Sequence, residues 1–175
     1  MRAGAIEVEP GRFRETFGRY FEEFVVGHIY EHRPGRTITD ADNVQFTLLT
    51  MNTHPAHFDY EYARKTEFEK PLVCSPLTVA LMVGMSVSDC SQKAVANLGW
   101  NNIRLTHPLF PGDTLYAETE VLGKRESGSR PNAGIVRVRH SGKNQNGDYA
   151  LHMVRSFFAT KRGHSVVDAV RERMK

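Results

Sequence analysis

An imidazole titrates close to neutral pH, so a loop carrying two histidines is the natural place to seek proton-transfer chemistry. Residues 52–59 read Asn52-Thr53-His54-Pro55-Ala56-His57-Phe58-Asp59. Pro55 disfavours helix both at itself and at His54, so this stretch is predicted to be a loop. His54 and His57 form a His-x-x-His pair that offers two metal ligands, but nothing nearby supplies a third at a recognised zinc spacing. No metal is expected there. A second candidate is the Cys74-Ser75-Pro76 junction, where Ser75 reads as a helix N-cap and Pro76 as the first helical residue. A helix start presents unpaired N–H groups and a partial positive charge, both suited to a developing oxyanion. Cys74 at that point has the setting of a low-pKa nucleophile, although the ordinary role of such a cysteine is that of a small buried hydrophobe.

The elements that must position these groups follow from patterning. Residues 20–38 suggest a strand pair around a Pro34-Gly35 turn. Thr39 then reads as an N-cap, with Asp40 and Asp42 favouring the helix dipole, and the helix runs through Phe46 and Leu49 to end near Asn52. From Leu77 to Val87 the second helix is apolar on nearly every face, which predicts burial all round. Strands are predicted over 95–105, 114–124, 134–140 and 149–160. The clearest sets Leu115, Ala117, Thr119 and Val121 against Tyr116, Glu118 and Glu120. A buried helix followed by an antiparallel meander is an α+β layout with the sheet curling round the helix. An exposed sheet edge in such a fold is covered by pairing with a second subunit, so a homodimer is expected.

The 175 residues fit one domain, read as an N-terminal arm (1–18), a folded body (19–163) and a C-terminal tail or short helix (164–175). A net charge of +3 without a long Lys/Arg run argues against a nucleic-acid partner. Two cysteines, Cys74 and Cys90, are too few for a disulfide framework and point to a reduced, cytoplasmic setting. The first residues lack the apolar core of a secretory signal. The longest apolar stretch, 77–87, is broken by Thr78, Gly84 and Ser86 and is too short to span a bilayer, so a soluble protein without a membrane partner is expected.

In their order, these segments resemble the MaoC-like dehydratase family of hot-dog proteins. The resemblance rests on residues 36–42, residues 52–59 with Tyr62-Ala63, residues 72–84 and residues 108–115. The family signature Asp-x-Asn-Pro-x-His-x-Asp falls on 52–59, with Pro55, His57 and Asp59 matching. Asn52 replaces the leading Asp, and His54 the inner Asn. The Met51-Asn52-Thr53 wording, with Asn97-Leu98-Gly99-Trp100, looks like the branch handling mesaconyl-CoA and related methyl-branched C5 dicarboxylyl thioesters.

The resemblance implies a hot-dog fold, a long central helix wrapped by a curved antiparallel sheet. It also implies an acyl-CoA hydratase that adds water across a 2-enoyl-CoA double bond without a cofactor. Family hydratases hold the water with an Asp and a His five residues apart, here Asn52 and His57. An amide is no base at neutral pH, so His57 would take the proton, Asn52 would orient the water, and Asp59 would fix the His57 tautomer. The oxyanion donor would be the Ser75 amide, since Pro76 has no N–H; Ser75 stands where the family usually has Gly. His54 and Cys74 would flank the substrate, and the CoA arm would lie near Asn97, Gly99 and Arg104. Arg36, His54 and Arg104 are the candidates for pairing a second carboxylate.

Two other readings stay open. A thioesterase of this fold usually carries a carboxylate on the central helix, and none occurs from Pro76 to Ser88; Asp89 comes only at the far end. A non-catalytic acyl-thioester binder is favoured by Asn52. Arg137, Arg139 and Arg155 read as a solvated strand face.

Overall fold

The computed structural model of the protein describes residues 4–168. A hairpin of β1 (Gly4–Glu9) and β2 (Arg12–Thr16) comes first. Next come β3 (Ile29–Thr37), α1 (Asp40–Leu49), the short α2 (Tyr60–Ala63) and α3 (Ser75–Ser86). The chain finishes with β4 (Ala94–Leu105), β5 (Thr114–Glu126), β6 (Ala133–Lys143) and β7 (Tyr149–Thr160). Strands β3 to β7 form one antiparallel sheet in the order β3-β5-β6-β7-β4. One face of this sheet packs on α3 through Met82, Leu115, Ala117, Leu151 and Met153, and a second cluster gathers Phe24, Val121, Val136, Val138 and Phe157. This is the expected hot-dog layout.

Local chemistry explains most boundaries. Thr39 Oγ1 accepts the Asp42 N–H at 3.1 Å, and an Asp42 carboxylate oxygen accepts the Thr39 N–H at 2.8 Å, a reciprocal cap that fixes where α1 begins. Those bonds, with the Arg36 guanidinium 2.7 Å from Asp42, hold the Asp42 carboxyl below its ordinary range. On β5, Leu115, Ala117, Thr119 and Val121 point inward as the alternation required.

Four expectations need correction. The first residues, expected as a poorly ordered or strapping arm, form the β1–β2 hairpin. Pro34-Gly35 makes no turn between two strands; it sits in a bulge of the single strand β3, between the pairs His32/Ala117 and Arg36/Leu115. Glycine suits the bulge because a Cβ on Gly35 would lie 2.5 Å from the Tyr116 ring. The central helix is not buried all round, for Pro76, Ala80 and Gly84, four residues apart, form an exposed stripe. Arg155 does not lie on a solvated face: it is 6% exposed, and its Nε donates to Asn97 Oδ1 at 2.7 Å. The C-terminal segment expected to run to residue 175 lies, past 168, outside the described residues.

Candidate active site

The loop after α1 is folded around its own polar side chains. Asn52 Oδ1 accepts the His54 N–H at 3.0 Å, and His54 Nδ1 accepts the Ala56 N–H at 3.1 Å. Pro55–His57 then makes one 3-10 turn. At the end of this turn the His57 Nδ1 meets the Leu72 carbonyl at 3.0 Å. A carbonyl oxygen can only accept, so Nδ1 carries the ring proton and Nε2 keeps its lone pair. In the neutral ring, then, Nε2 is the nitrogen that can accept a proton.

Helix α3 supplies the second group. Its N-cap is Cys74, not Ser75, and the cysteine side chain makes no capping bond. Of the first four helical residues, Pro76 has no N–H, while the Leu77 and Thr78 amides both turn to the Cys74 carbonyl, at 2.9 and 3.3 Å. The Ser75 amide is the one left open at the positive end of the helix. His57 and Ser75 line the same cavity of about 270 Å3, walled also by Leu72, Thr78, His107 and Leu109.

Asn43 joins these parts. Fully buried in the first turn of α1, it accepts the Cys74 N–H on Oδ1 at 2.8 Å and donates from Nδ2 to the His57 and Leu72 carbonyls, both at 2.9 Å. One carboxamide thus sets the histidine loop, the carbonyl that orients His57 and the start of α3 relative to one another. Its only signal in the sequence was a polar residue at an inward helix position, which a Thr39–Asp42 cap makes visible in retrospect.

The other expected site residues are placed differently. Asn52 does not line the cavity; both ends of its amide face protein, Nδ2 lying 3.5 Å from Cys74 Sγ. Asp59 caps α2 by accepting the Tyr62 N–H at 3.0 Å, and it is the Leu72 carbonyl that meets His57 Nδ1. His54 stacks beside His57 with ring centroids 5.7 Å apart but is exposed and engaged with the loop backbone. Cys74 is buried, in keeping with a hydrophobe's role. Asn97 holds Arg155, Gly99 and Arg104 sit on the exposed strand β4, and none of the three reaches the cavity, whose wall takes only Leu105 from that strand. Arg36 is committed to Asp42.

A second polar cluster is buried against the sheet. The Thr119 hydroxyl sits between His32 Nε2 at 2.6 Å and His140 Nδ1 at 2.8 Å. Burial lowers the pKa of His32 and pushes that of His140 down to about 3, so both rings are neutral; the adjoining Cys90 thiol is pushed up to about 12 by the same burial. His32, Asp89 and Cys90 come within 4.8 Å of one another, a spacing open to a metal ion. The Arg19 guanidinium, however, holds Asp89 at 2.8 Å, and Arg155 is a further cation beside Cys90, so a divalent ion would face two like charges.

Comparison with known proteins agrees with the fold. A family model described as mesaconyl-CoA hydratase matches residues 8–172. The mesaconyl-CoA hydratase of Cereibacter sphaeroides is 36% identical over 145 residues, covering 83% of this chain and 42% of that protein. An Archaeoglobus protein described as a monoamine oxidase regulatory protein superposes with a TM-score of 0.73 at 32% identity, over 82% of this chain and 95% of that one. A Mycobacterium tuberculosis protein described as a double hot-dog fold gives a TM-score of 0.77 at 23% identity, over 84% of this chain and 46% of that one, a likeness of fold alone. The chain spans about two fifths of the length of the curated relatives it matches first. No helix among the described residues is long and apolar enough to cross a membrane. Since the family match takes in every strand and helix from β2 to β7, this chain belongs to the mesaconyl-CoA hydratase family.

Proposed function

We propose that the protein is a hydro-lyase that adds water to the double bond of a 2-enoyl-CoA, with mesaconyl-CoA as the preferred acyl thioester. One observation carries this reading: an imidazole with its Nδ1 proton pinned on Leu72, and an open helix-start amide at Ser75, line one small cavity. In the proposed reaction the thioester carbonyl accepts the Ser75 N–H, and His57 Nε2 takes a proton from water as its oxygen bonds to C3. The double-bond electron pair moves onto the thioester as an enolate, held by the amide. The proton on His57 Nε2 then passes to C2, which restores the base and closes the atom balance without a cofactor. Asn52 acts in this scheme by anchoring the loop.

A homodimer acting in the cytoplasm completes the proposal. Strand β4 is a sheet edge of 12 residues with Leu98, Trp100, Ile103 and Leu105 exposed, which is the kind of edge that proteins cover by pairing. Both cysteines are free and buried, as suits a reducing compartment.

A steady-state assay with mesaconyl-CoA and crotonyl-CoA, following the enoyl-thioester absorbance and free thiol together, tests the reading. Absorbance loss without thiol release is the expected result. Thiol release would make the protein a thioesterase, and tight binding with no turnover would make it an acyl-thioester binder.

A further inference from the structure

A dicarboxylyl thioester brings its free carboxylate to the site, and burying an unpaired carboxylate is strongly unfavourable. The cavity must therefore hold a cation or a strong donor at the far end of the acyl group. Its wall is otherwise aliphatic, aromatic or hydroxylic. Only two lining side chains ionise, and both are histidines, His57 and His107. His57 is turned into the reaction by its bond to Leu72. That leaves His107.

We infer that His107 reads the distal carboxylate of the acyl chain and so sets selectivity for dicarboxylyl over plain enoyl thioesters; this rests on the hydratase reading above. His107 follows β4 in the segment 106–109, which forms the wall facing His57 and Ser75. This wall is fixed at both ends. The Thr106 N–H donates to the Ala150 carbonyl at 3.0 Å, and the Leu109 carbonyl accepts the Val73 N–H at 2.8 Å, next to the start of α3. The imidazole is not consumed by the protein. Its nearest acid, Asp148, lies 3.9 Å from His107 Nε2, beyond hydrogen-bond distance, and already accepts Asn144 Nδ2 at 3.0 Å. His107 is about half exposed while lining the cavity, so its ring N–H is within reach of an incoming carboxylate. The other three candidates for pairing that carboxylate, Arg36, His54 and Arg104, do not line the cavity.

The test compares mesaconyl-CoA with 2-methylcrotonyl-CoA, which carries a methyl group in place of the distal carboxylate, in the full-length protein and in His107→Gln and His107→Arg. The readout is the ratio of kcat/KM for the two substrates. His107→Gln is expected to lower that ratio at least tenfold, mostly through KM for mesaconyl-CoA, and His107→Arg, with a permanent cation, is expected to restore most of it. A ratio unchanged within twofold in His107→Gln overturns the assignment. So does an equal fall on both substrates, which would mean damage to the cavity as a whole. If the unaltered protein turns over neither thioester, the hydratase reading itself fails and takes this inference with it; turnover with an unmoved ratio removes the inference alone.

Discussion

Replacing Asn43 probes the link between fold and site. Its fully buried side chain satisfies three backbone groups: the Cys74 N–H at 2.8 Å and the His57 and Leu72 carbonyls at 2.9 Å. In Asn43→Ala the Leu72 carbonyl keeps its bond from His57 Nδ1, so two groups, the Cys74 amide and the His57 carbonyl, are left with nothing. A buried backbone group without a partner costs about 1–3 kcal/mol. Two such groups plus the void of a lost carboxamide amount to roughly 3–5 kcal/mol of folding free energy. Urea unfolding monitored by tryptophan fluorescence reads this as a lower midpoint at unchanged slope. Asn43→Asp has nearly the same volume and keeps the acceptor for Cys74. It places an oxygen against two carbonyls, however, so its carboxyl must stay protonated and can serve only one of them. Its stability should fall by less than that of Asn43→Ala at low pH, and the gap should close as pH rises. Because the same amide aligns His57 with Ser75, kcat on an enoyl-CoA should drop at least tenfold in both variants under folded conditions, with a smaller change in KM. An Asn43→Ala protein within about 1 kcal/mol of the original, with normal kcat, would refute the clamp.

Three further outcomes follow from the same physics. His32 and His140 are neutral in the fold because burial lowers their pKa values, His140 to about 3, whereas in the unfolded chain each takes up a proton near pH 6.5. Their contribution is therefore complete above the unfolded value and is lost as pH falls from about 6.5 toward the folded values, at up to about 1.4 kcal/mol per pH unit for each ring. Urea midpoints between pH 8 and pH 5 should show this slope, and His140→Gln should flatten it; an equal slope in the variant would count against the buried pair. Gly134→Ala puts a Cβ 2.2 Å from the buried Phe21 ring and should cost about 1–3 kcal/mol, read as a lower melting temperature. Asn52→Ala removes the acceptor that ties down the His54 amide and should reduce kcat by loosening the loop, with Asn52→Asp retaining more activity; full activity in Asn52→Ala would show that the loop needs no such anchor.

The fold was legible wherever period and caps were strong. Thr39 with Asp42 announced α1, the inward Leu115-to-Val121 alternation announced β5, and Ser75-Pro76 announced α3 to within a residue. The bulge at Pro34-Gly35 was not, because Pro-Gly signals a break in regular pairing without saying whether the chain reverses or continues. The exposed stripe on α3 was hidden for a related reason: Pro76, Ala80 and Gly84 are small enough to sit on either side of a boundary. At the site, His57 and Ser75 could be named from local motifs. Their partners could not, since Leu72 acts through a main-chain carbonyl that any residue possesses, Asn43 meets the His57 backbone from 14 residues away in sequence, and His107 lines the cavity from 50 residues away. Asp59 was paired with His57 through the family motif, and in the structure it caps α2.

The most direct measurement is the initial rate of hydration of mesaconyl-CoA by His57→Gln, an imidazole replaced by an amide that can still donate a hydrogen bond but cannot accept a proton at neutral pH. Circular dichroism would confirm that the variant stays folded, as expected for a half-buried side chain whose backbone is held independently by Asn43. Loss of about two to four orders of magnitude in kcat is expected of a removed general base. A folded variant that hydrates the thioester at near-normal rate would mean that the proton leaves water by some other route.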